Sequence, residues 1–493
     1  MSSSKENATS SWSVRERKGS DVRAVEAELF LLPVQTRVPL KFGAETLTSV
    51  TCARARLRVR SSDGRAAEGW GETPLSVQWV WPSELPYADR LQTLVDCCRQ
   101  LAAAWADFNV YGHPLEVGDA FRRSQLTATL DQVNADREGV RRMPYLAALT
   151  CCSAFDIALH DAYGNLVGQP VYETYGPPWM NRDLSHFLQP ADGADVAFQG
   201  LYPRDFLRSL RWERLPVWHL VGGLDPLSTD ELSGSEPHDG YPVLLDDWIR
   251  RDGLKCLKIK LRGNDFEWDF HRVSRVGRQA RALGVEDLTT DFNCTVEDPA
   301  YVQAVLDRLQ REEPDVYEMI LYVEQPFPYD LEAHPIDVSR LAQRKPLLMD
   351  ESADSWSHVQ LGRSLGWNGV ALKTCKTQTG AILSLCWAKA HQMHLMVQDL
   401  TNPMLAQIPH VQLAAHADTM RGVESNAMQF YPEASSVEAG VHPGLYQRRR
   451  GELDLSSVVG PGFGYRLDEI ERELPDALVL STGRKPTSSR QPT

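Results

Sequence analysis

Asp291, Glu324 and Asp350 each close one of three successive short apolar runs, Leu288-Thr289-Thr290-Asp291, Ile320-Leu321-Tyr322-Val323-Glu324 and Leu347-Leu348-Met349-Asp350. Brought together they would offer only hard oxygen ligands, which suits Mg²⁺, with Mn²⁺ as a substitute. Carboxylates a few ångströms apart repel one another strongly, so the electrostatics calls for a cation between them. The competing reading is that each acid caps the helix after it, as Asp commonly does in βα loops. Three acids ending consecutive runs make that coincidence the weaker explanation.

Two lysine pairs flank the acids. Lys258 and Lys260 lie two apart on one strand, so both side chains take the same side. Lys373 and Lys376 come one to two strands beyond Asp350, which places them across from Lys260. Surface lysines snorkel, but a strand end wedged between apolar neighbours is a poor place for a solvated ammonium. A lysine is a weak base at its ordinary pKa of about 10.4, and catalytic lysines are tuned to roughly 7–8 by burial and nearby cations. With a substrate carboxylate on the metal and Lys258 adding positive charge, the α-proton becomes acidic, because the enolate is met by charge already in place. Amines on opposite faces of one carbon can remove that proton on one side and return it on the other. That is racemisation or epimerisation.

Such residues need elements that gather them. From Leu215 onward, short apolar runs alternate with amphipathic helical stretches, and polar residues end the runs at 260, 291, 324, 350 and 376, about one βα unit apart. An open doubly wound sheet gathers its ligands at one switch point, whereas a barrel turns every strand end into one mouth. The spacing therefore predicts an α/β fold, a (β/α)8 TIM-like barrel over residues 214–430. Before it, residues 21–170 read as an α+β domain. Its strands include Ala53-Arg54-Ala55-Arg56-Leu57-Arg58-Val59-Arg60, and its helices run from Tyr87 to Trp105 and from Pro144 to Tyr163. Residues 171–213 read as an insertion or linker and 431–475 as a segment packing back on the first domain. Residues 1–20 read as a disordered leader and 476–493 as a disordered tail.

Composition excludes several classes. The 493 residues are 42% hydrophobic, enough for a large core, and carry a net charge of −14. That charge argues against nucleic acid as a partner. Nine cysteines without a CxxC pair argue against a disulfide framework or a thiolate zinc site. The first thirty residues lack the apolar stretch of a signal peptide, and no run approaches a membrane span. A soluble, cytoplasmic protein with no membrane partner is expected. The tryptophans, Trp79 among them, follow no fixed spacing and read as packing rather than as a sugar-stacking platform.

Lys258-Ile259-Lys260, Thr290-Asp291-Phe292-Asn293, Val323-Glu324-Gln325-Pro326, Met349-Asp350-Glu351-Ser352 and Leu372-Lys373-Thr374-Cys375-Lys376-Thr377 resemble, in order, the motifs of the enolase superfamily. The likeness is to the two-lysine muconate lactonizing enzyme subgroup of the mandelate racemase and muconate lactonizing enzyme family. Gly69-Trp70-Gly71-Glu72 and Ala154-Phe155-Asp156-Ile157-Ala158-Leu159-His160-Asp161 resemble segments of that family's capping domain. The resemblance implies that Asp291, Glu324 and Asp350 ligate Mg²⁺ and that Lys260 and Lys376 are the two acid/base groups. It further implies that Lys258 steadies the enolate, while Asn293 and Glu351 orient the ligands or a lysine. It implies a small-molecule carboxylate substrate, a homo-oligomer, and a lid near residues 36–48.

Two features depart from the family. Thr377-Gln378 stands where it usually has paired glycines, and Gln398-Asp399 at the seventh strand's end matches neither the histidine of mandelate racemase nor the paired aspartates of dipeptide epimerases. Asp399 is a candidate substrate contact or a helix cap. The expected function is a racemase, epimerase or cycloisomerase. The alternatives are dehydration of an acid sugar, Schiff-base chemistry on a lysine, and a non-catalytic binding protein.

Overall fold

The computed structural model describes residues 17–483; the expectations for residues 1–16 and 484–493 lie outside the described residues. Period-two alternation builds the first sheet. Val22–Phe42 (β1), Glu45–Ser61 (β2) and Ala66–Pro74 (β3) run antiparallel, with Ala53, Ala55, Leu57 and Val59 fully buried on one face of β2. Tyr87–Asp107 (α1) and Tyr145–Val167 (α2) pack on that sheet. Residues 139–167 have the length and hydropathy of a membrane span, but 89% of the apolar stretch within them is buried inside the protein, as in a core helix.

Apart from Glu452–Asp454, which pairs antiparallel with residues 214–216, the second sheet is parallel. Its strands are Arg214–Val221 (β4), Cys256–Lys260 (β5), Asp287–Asp291 (β6), Ile320–Glu324 (β7), Leu347–Met349 (β8), Gly369–Leu372 (β9), His394–Val397 (β10) and Val423–Glu424 (β11). They pair in the order β10-β9-β8-β7-β6-β5-β4-β11. The helices between them include Phe266–Ala282 (α3), Pro299–Glu312 (α4), Trp356–Ser364 (α5), Gln378–Ala390 (α6) and Gln407–Ala417 (α7). The sheet curls until its ends approach, and Met420 N donates to Leu395 O at 2.8 Å across the seam. No strand ladder joins β10 to β11 among the described residues. The expected barrel is thus a curled parallel sheet with an unzipped seam, because β11 is only two residues long.

Alternation along the strands sorts the interior into layers. Trp218, Cys256, Tyr322, Leu348 and Met396 form one buried apolar cluster. Two residues further along the same strands or their exits come Leu220, Lys258, Glu324, Asp350 and Gln398. A side-chain period of two carries a carbon-lined floor directly into a charged mouth.

Residues 177–213 have a structural role. Leu184, Phe187, Leu188 and Phe198 join the main core, and Gln189 O accepts from Trp387 Nε1 of α6 at 2.8 Å. Asn181 reaches the first domain through Glu116 and Asp21, both at 2.9 Å. Within residues 431–475, Glu438 pairs with Arg472 at 2.5 Å and with Arg54 at 3.4 Å, while Arg54 pairs with Glu72 at 2.5 Å. The expected disordered tail needs one correction. Val479–Thr482 forms a strand paired antiparallel with β1, because the β1 edge offers a free row of main-chain partners.

Candidate functional site

Each acid of the sequence triad ends a strand or directly follows one, and all three are buried. Asp291 accepts from Lys260 at 2.5 Å, pairs with Lys258 at 3.0 Å, and receives the main-chain N–H of Asn293 at 2.9 Å. Burial alone would raise its carboxyl, but the two lysines hold it well below the usual carboxylate range. Glu324 accepts from Lys258 at 2.6 Å and from Gln398 Nε2 at 2.5 Å. Burial, then the charges of Asp291, Asp350 and Glu424, push Glu324 well above its ordinary value against the pull of Lys258. Asp350 pairs with Lys373 at 3.0 Å and with Lys376 at 3.2 Å. Gln325 Oε1 accepts the main-chain N–H of Asp350 at 2.7 Å and so fixes where β8 ends.

The lysines do not all face the same space. One cavity is lined by Lys258, Lys260 and Lys373 together with Asp350, Asp399, Glu424, Phe42 and Trp79. Lys376 is not part of that lining. Its ammonium bonds the main-chain carbonyl and a side-chain oxygen of Asp350. Strand alternation explains the difference: Lys373 continues the inward set of β9, whereas Lys376 ends the short helical turn Thr374–Lys376 after it. Burial would lower both the Lys258 and Lys373 ammoniums, yet their carboxylate partners hold both above the ordinary lysine value.

Asn293 and Glu351 form a relay. Lys260 Nζ donates to Asn293 Oδ1 at 3.0 Å, and Asn293 Nδ2 donates to Glu351 Oε1 at 3.1 Å. Burial, reinforced by Asp350 and Asp291, pushes Glu351 up to about 7. Asp399 lines the cavity while its carboxylate accepts the main-chain N–H groups of Asn426 at 2.8 Å and Asn402 at 3.3 Å.

The mouth holds a surplus of negative charge. Six buried carboxylates, Asp291, Glu324, Asp350, Glu351, Asp399 and Glu424, face four buried lysines, 258, 260, 373 and 376. Formally the set is short of two positive charges, the charge of one divalent cation. Among the described residues no three His, Cys, Asp or Glu side chains stand as a ready-made metal cage. The acids are instead drawn onto the lysines.

Sequence reasoning missed several members of the mouth. Glu424 ends β11, accepts from Lys258 at 3.0 Å and from Asn426 Nδ2 at 2.8 Å. It continues the series of polar strand ends, but a two-residue strand leaves no apolar run to announce it. Gln398 stands out in the sequence only as a departure from the family pattern, yet it bridges Lys258 and Glu324. Trp79, expected to be packing, lies 4.8 Å from Lys373 Nζ at its ring centroid; no periodicity marks it. The expected lid is the end of the β1–β2 hairpin, with Leu40, Phe42 and Leu47 over the cavity. It is tied to the βα loop after β4 by Arg37, which pairs with Asp239 at 2.6 Å.

The helix motif resembling the capping domain sets this roof on the sheet. Asp156 accepts the main-chain N–H of Thr379 at 2.8 Å and its hydroxyl at 2.7 Å, and His160 Nε2 meets the same hydroxyl at 3.1 Å. Thr377, where the family pattern has glycine, takes φ 71°, a region that favours glycine. Its hydroxyl caps α6 by accepting from Gly380 N at 2.9 Å.

Residues 243–471 match the family model described as enolase C-terminal domain-like. A search of curated proteins finds no sequence match. Solved structures share the fold. An N-succinyl Arg/Lys racemase from Bacillus cereus is 15% identical with a TM-score of 0.58, covering 94% of this chain and 100% of its own. A dipeptide epimerase from Enterococcus faecalis, complexed with Mg and the dipeptide L-Leu-L-Tyr, is 16% identical with a TM-score of 0.58, covering 90% and 99%. A 2-chloromuconate cycloisomerase from Rhodococcus opacus is 18% identical with a TM-score of 0.55, covering 92% and 100%. These neighbours are isomerases of the enolase superfamily. At such identities the likeness establishes the fold alone.

Proposed function

We propose that the protein is an enolase-superfamily enzyme of the two-lysine type that exchanges the α-proton of a small carboxylate through an enolate. The enolate takes a proton back at the same carbon in a racemase or epimerase; in a cycloisomerase a ring opens or closes at the β-carbon, with one proton lost or gained at the α-carbon. One observation carries this reading: Lys260 and Lys373 line one cavity from β5 and β9, strands half a turn of the eight-stranded sheet apart, with Lys258 and the acids between them.

The donor set fits a hard divalent cation, because it is all oxygen and carries a surplus of negative charge. Asp291, Glu324 and Asp350 would hold Mg²⁺, with Gln325, Gln398 and Asn293 fixing their orientation. Bound there, the ion would supply positive charge against the substrate's carboxylate and offset the negative field that keeps Lys258 and Lys373 protonated.

The chain's own groups do the rest. Lys258 sets its ammonium beside the substrate carboxylate and favours the charge that develops as the α-proton leaves. Lys260, oriented by Asn293, takes the proton on one face. Lys373, held against Trp79, delivers one on the other. Lys373 rather than Lys376 fits this second role, since Lys373 lines the cavity with Lys260 and Lys376 does not. The β1–β2 hairpin covers the mouth and keeps water from the exposed carbanion. Incubation with a panel of carboxylic acids in D₂O tests the reading. Mg²⁺-dependent deuterium incorporation at the α-carbon is the expected result, and no exchange from any acid with the cation bound would overturn it.

A further inference from the structure

Another cavity, of about 540 Å³, opens where the helix Leu245–Asp252 meets the loop that follows the short helix Pro443–Tyr446. None of the lysines or acids of the mouth lines it. Three arginines do: Arg251 near the helix end, and Arg448 and Arg449 from the loop. In a chain of net charge −14, three guanidiniums around one space reverse the sign of the field locally. The acids nearby do not use them up. Asp252 accepts from Arg448 Nε at 2.7 Å and stands 3.9 Å from Arg251. Arg449 donates to Gln447 Oε1 at 2.9 Å and has no carboxylate partner among the described residues. Glu433, the other acid in the wall, accepts from the Tyr241 hydroxyl at 3.1 Å.

Arg448 is the costly member of the three. Its side chain is fully buried, yet Nη1 and Nη2 have no hydrogen-bond partner among the described residues. The ring centroid of Trp248 lies 5.2 Å from its guanidinium carbon, but an aromatic face is only a weak acceptor for an N–H. Buried donors on a charged group are more expensive to leave unpaired than neutral ones, so such a group calls for an acceptor. An anion in the cavity would supply it. One guanidinium fork saturates a carboxylate, whereas the oxygens of a phosphate accept from several guanidiniums at once. The volume exceeds that of the ion and leaves room for an organic group attached to it.

We propose that this cavity, separate from the catalytic mouth, binds phosphate, either free or as the ester of a small molecule, with Arg448 as its buried anchor and the exposed Arg251 and Arg449 completing the grip. Inorganic phosphate and phenyl phosphate, titrated into the full chain by calorimetry at constant ionic strength and without Mg²⁺, test the assignment. Both should bind saturably at one site. Tighter binding of phenyl phosphate would mark the ligand as an ester, and equal or weaker binding would mark it as the free ion. Because Arg448 is buried against Asp252, the exposed Arg251→Gln and Arg449→Gln serve as variants that keep the fold. Each should weaken binding about tenfold, the worth of a lost hydrogen bond to a charged group. Lys373→Ala, in the mouth, should change the affinity by less than about twofold, as a distant site does. No saturable binding, an affinity unchanged in both arginine variants, or binding abolished by Lys373→Ala would overturn the assignment.

Discussion

Lys260 and Lys373 line the same cavity from strands with three others between them, and each ammonium sits against an aromatic ring, Phe42 for one and Trp79 for the other. In a sheet of eight strands curled on itself, four steps of order are half a circuit. On the proposed reading, a carbon held between these amines would be approached from opposite faces, the geometry that inversion of a stereocentre requires.

The charge surplus predicts a stability response to metal. Mg²⁺ at a hundred times its dissociation constant should stabilise the native state by about 2.7 kcal/mol, and EDTA should reverse the gain. Glu324→Gln removes one carboxylate from the proposed cation site, so it should blunt the rise in Tm. Superimposable melts with Mg²⁺ and with EDTA would count against a cation site.

The two lysines after β9 should separate by function. Lys373→Ala should lower turnover by about 10²- to 10⁴-fold, the usual range for a lost general acid or base. Lys376→Ala, which loosens Asp350 without emptying the cavity, should cost only about tenfold. Steady-state kinetics on both variants checks the order, and a deeper loss at Lys376 would reinstate it as the second acid/base group.

Gly71 should tolerate no side chain. A Cβ there would stand 2.1 Å from the carbonyl of Ala154 and 2.7 Å from Ala158 N, both main-chain atoms of α2 that cannot turn aside. Gly71→Ala should cost about 3 kcal/mol or more. Chemical denaturation measures it, and a change under about 1 kcal/mol would mean that α2 can shift away from β3.

His160 predicts a pH dependence of a defined sign. Burial pushes its imidazole down to about 3, so between pH 3 and 6.5 the unfolded chain holds a proton that the folded one does not. The contribution of this group to stability is complete above pH 6.5 and is lost as pH falls toward 3. His160→Gln removes that dependence. The stability advantage of the native protein over the variant should therefore be constant above pH 7 and shrink by about 1.4 kcal/mol per unit below pH 6. An advantage that grew on acidification would contradict neutral burial.

Much of this was legible from residue order. The strand ends at Lys258, Glu324 and Asp350 carry a period-two signal, and the layer beneath them holds the residues two positions earlier, Cys256, Tyr322 and Leu348. The same alternation separates Lys373 from Lys376, although the resemblance points to Lys376 as the second acid/base group. Glu424 and Trp79 were not legible. One ends a strand too short to show alternation, and the other reaches the mouth from the first domain by tertiary packing alone. Val479–Thr482 was hidden because an edge strand is stabilised by its partner's main chain rather than by a pattern of its own.

Deuterium exchange from separate enantiomers in single-lysine variants tests the central claim most directly. With the substrate supplied as each enantiomer in D₂O, Lys260→Ala should still exchange the α-proton of one and Lys373→Ala that of the other, while neither interconverts them. Loss of exchange from the same enantiomer in both variants, or full interconversion by either, would contradict two amines acting from opposite faces.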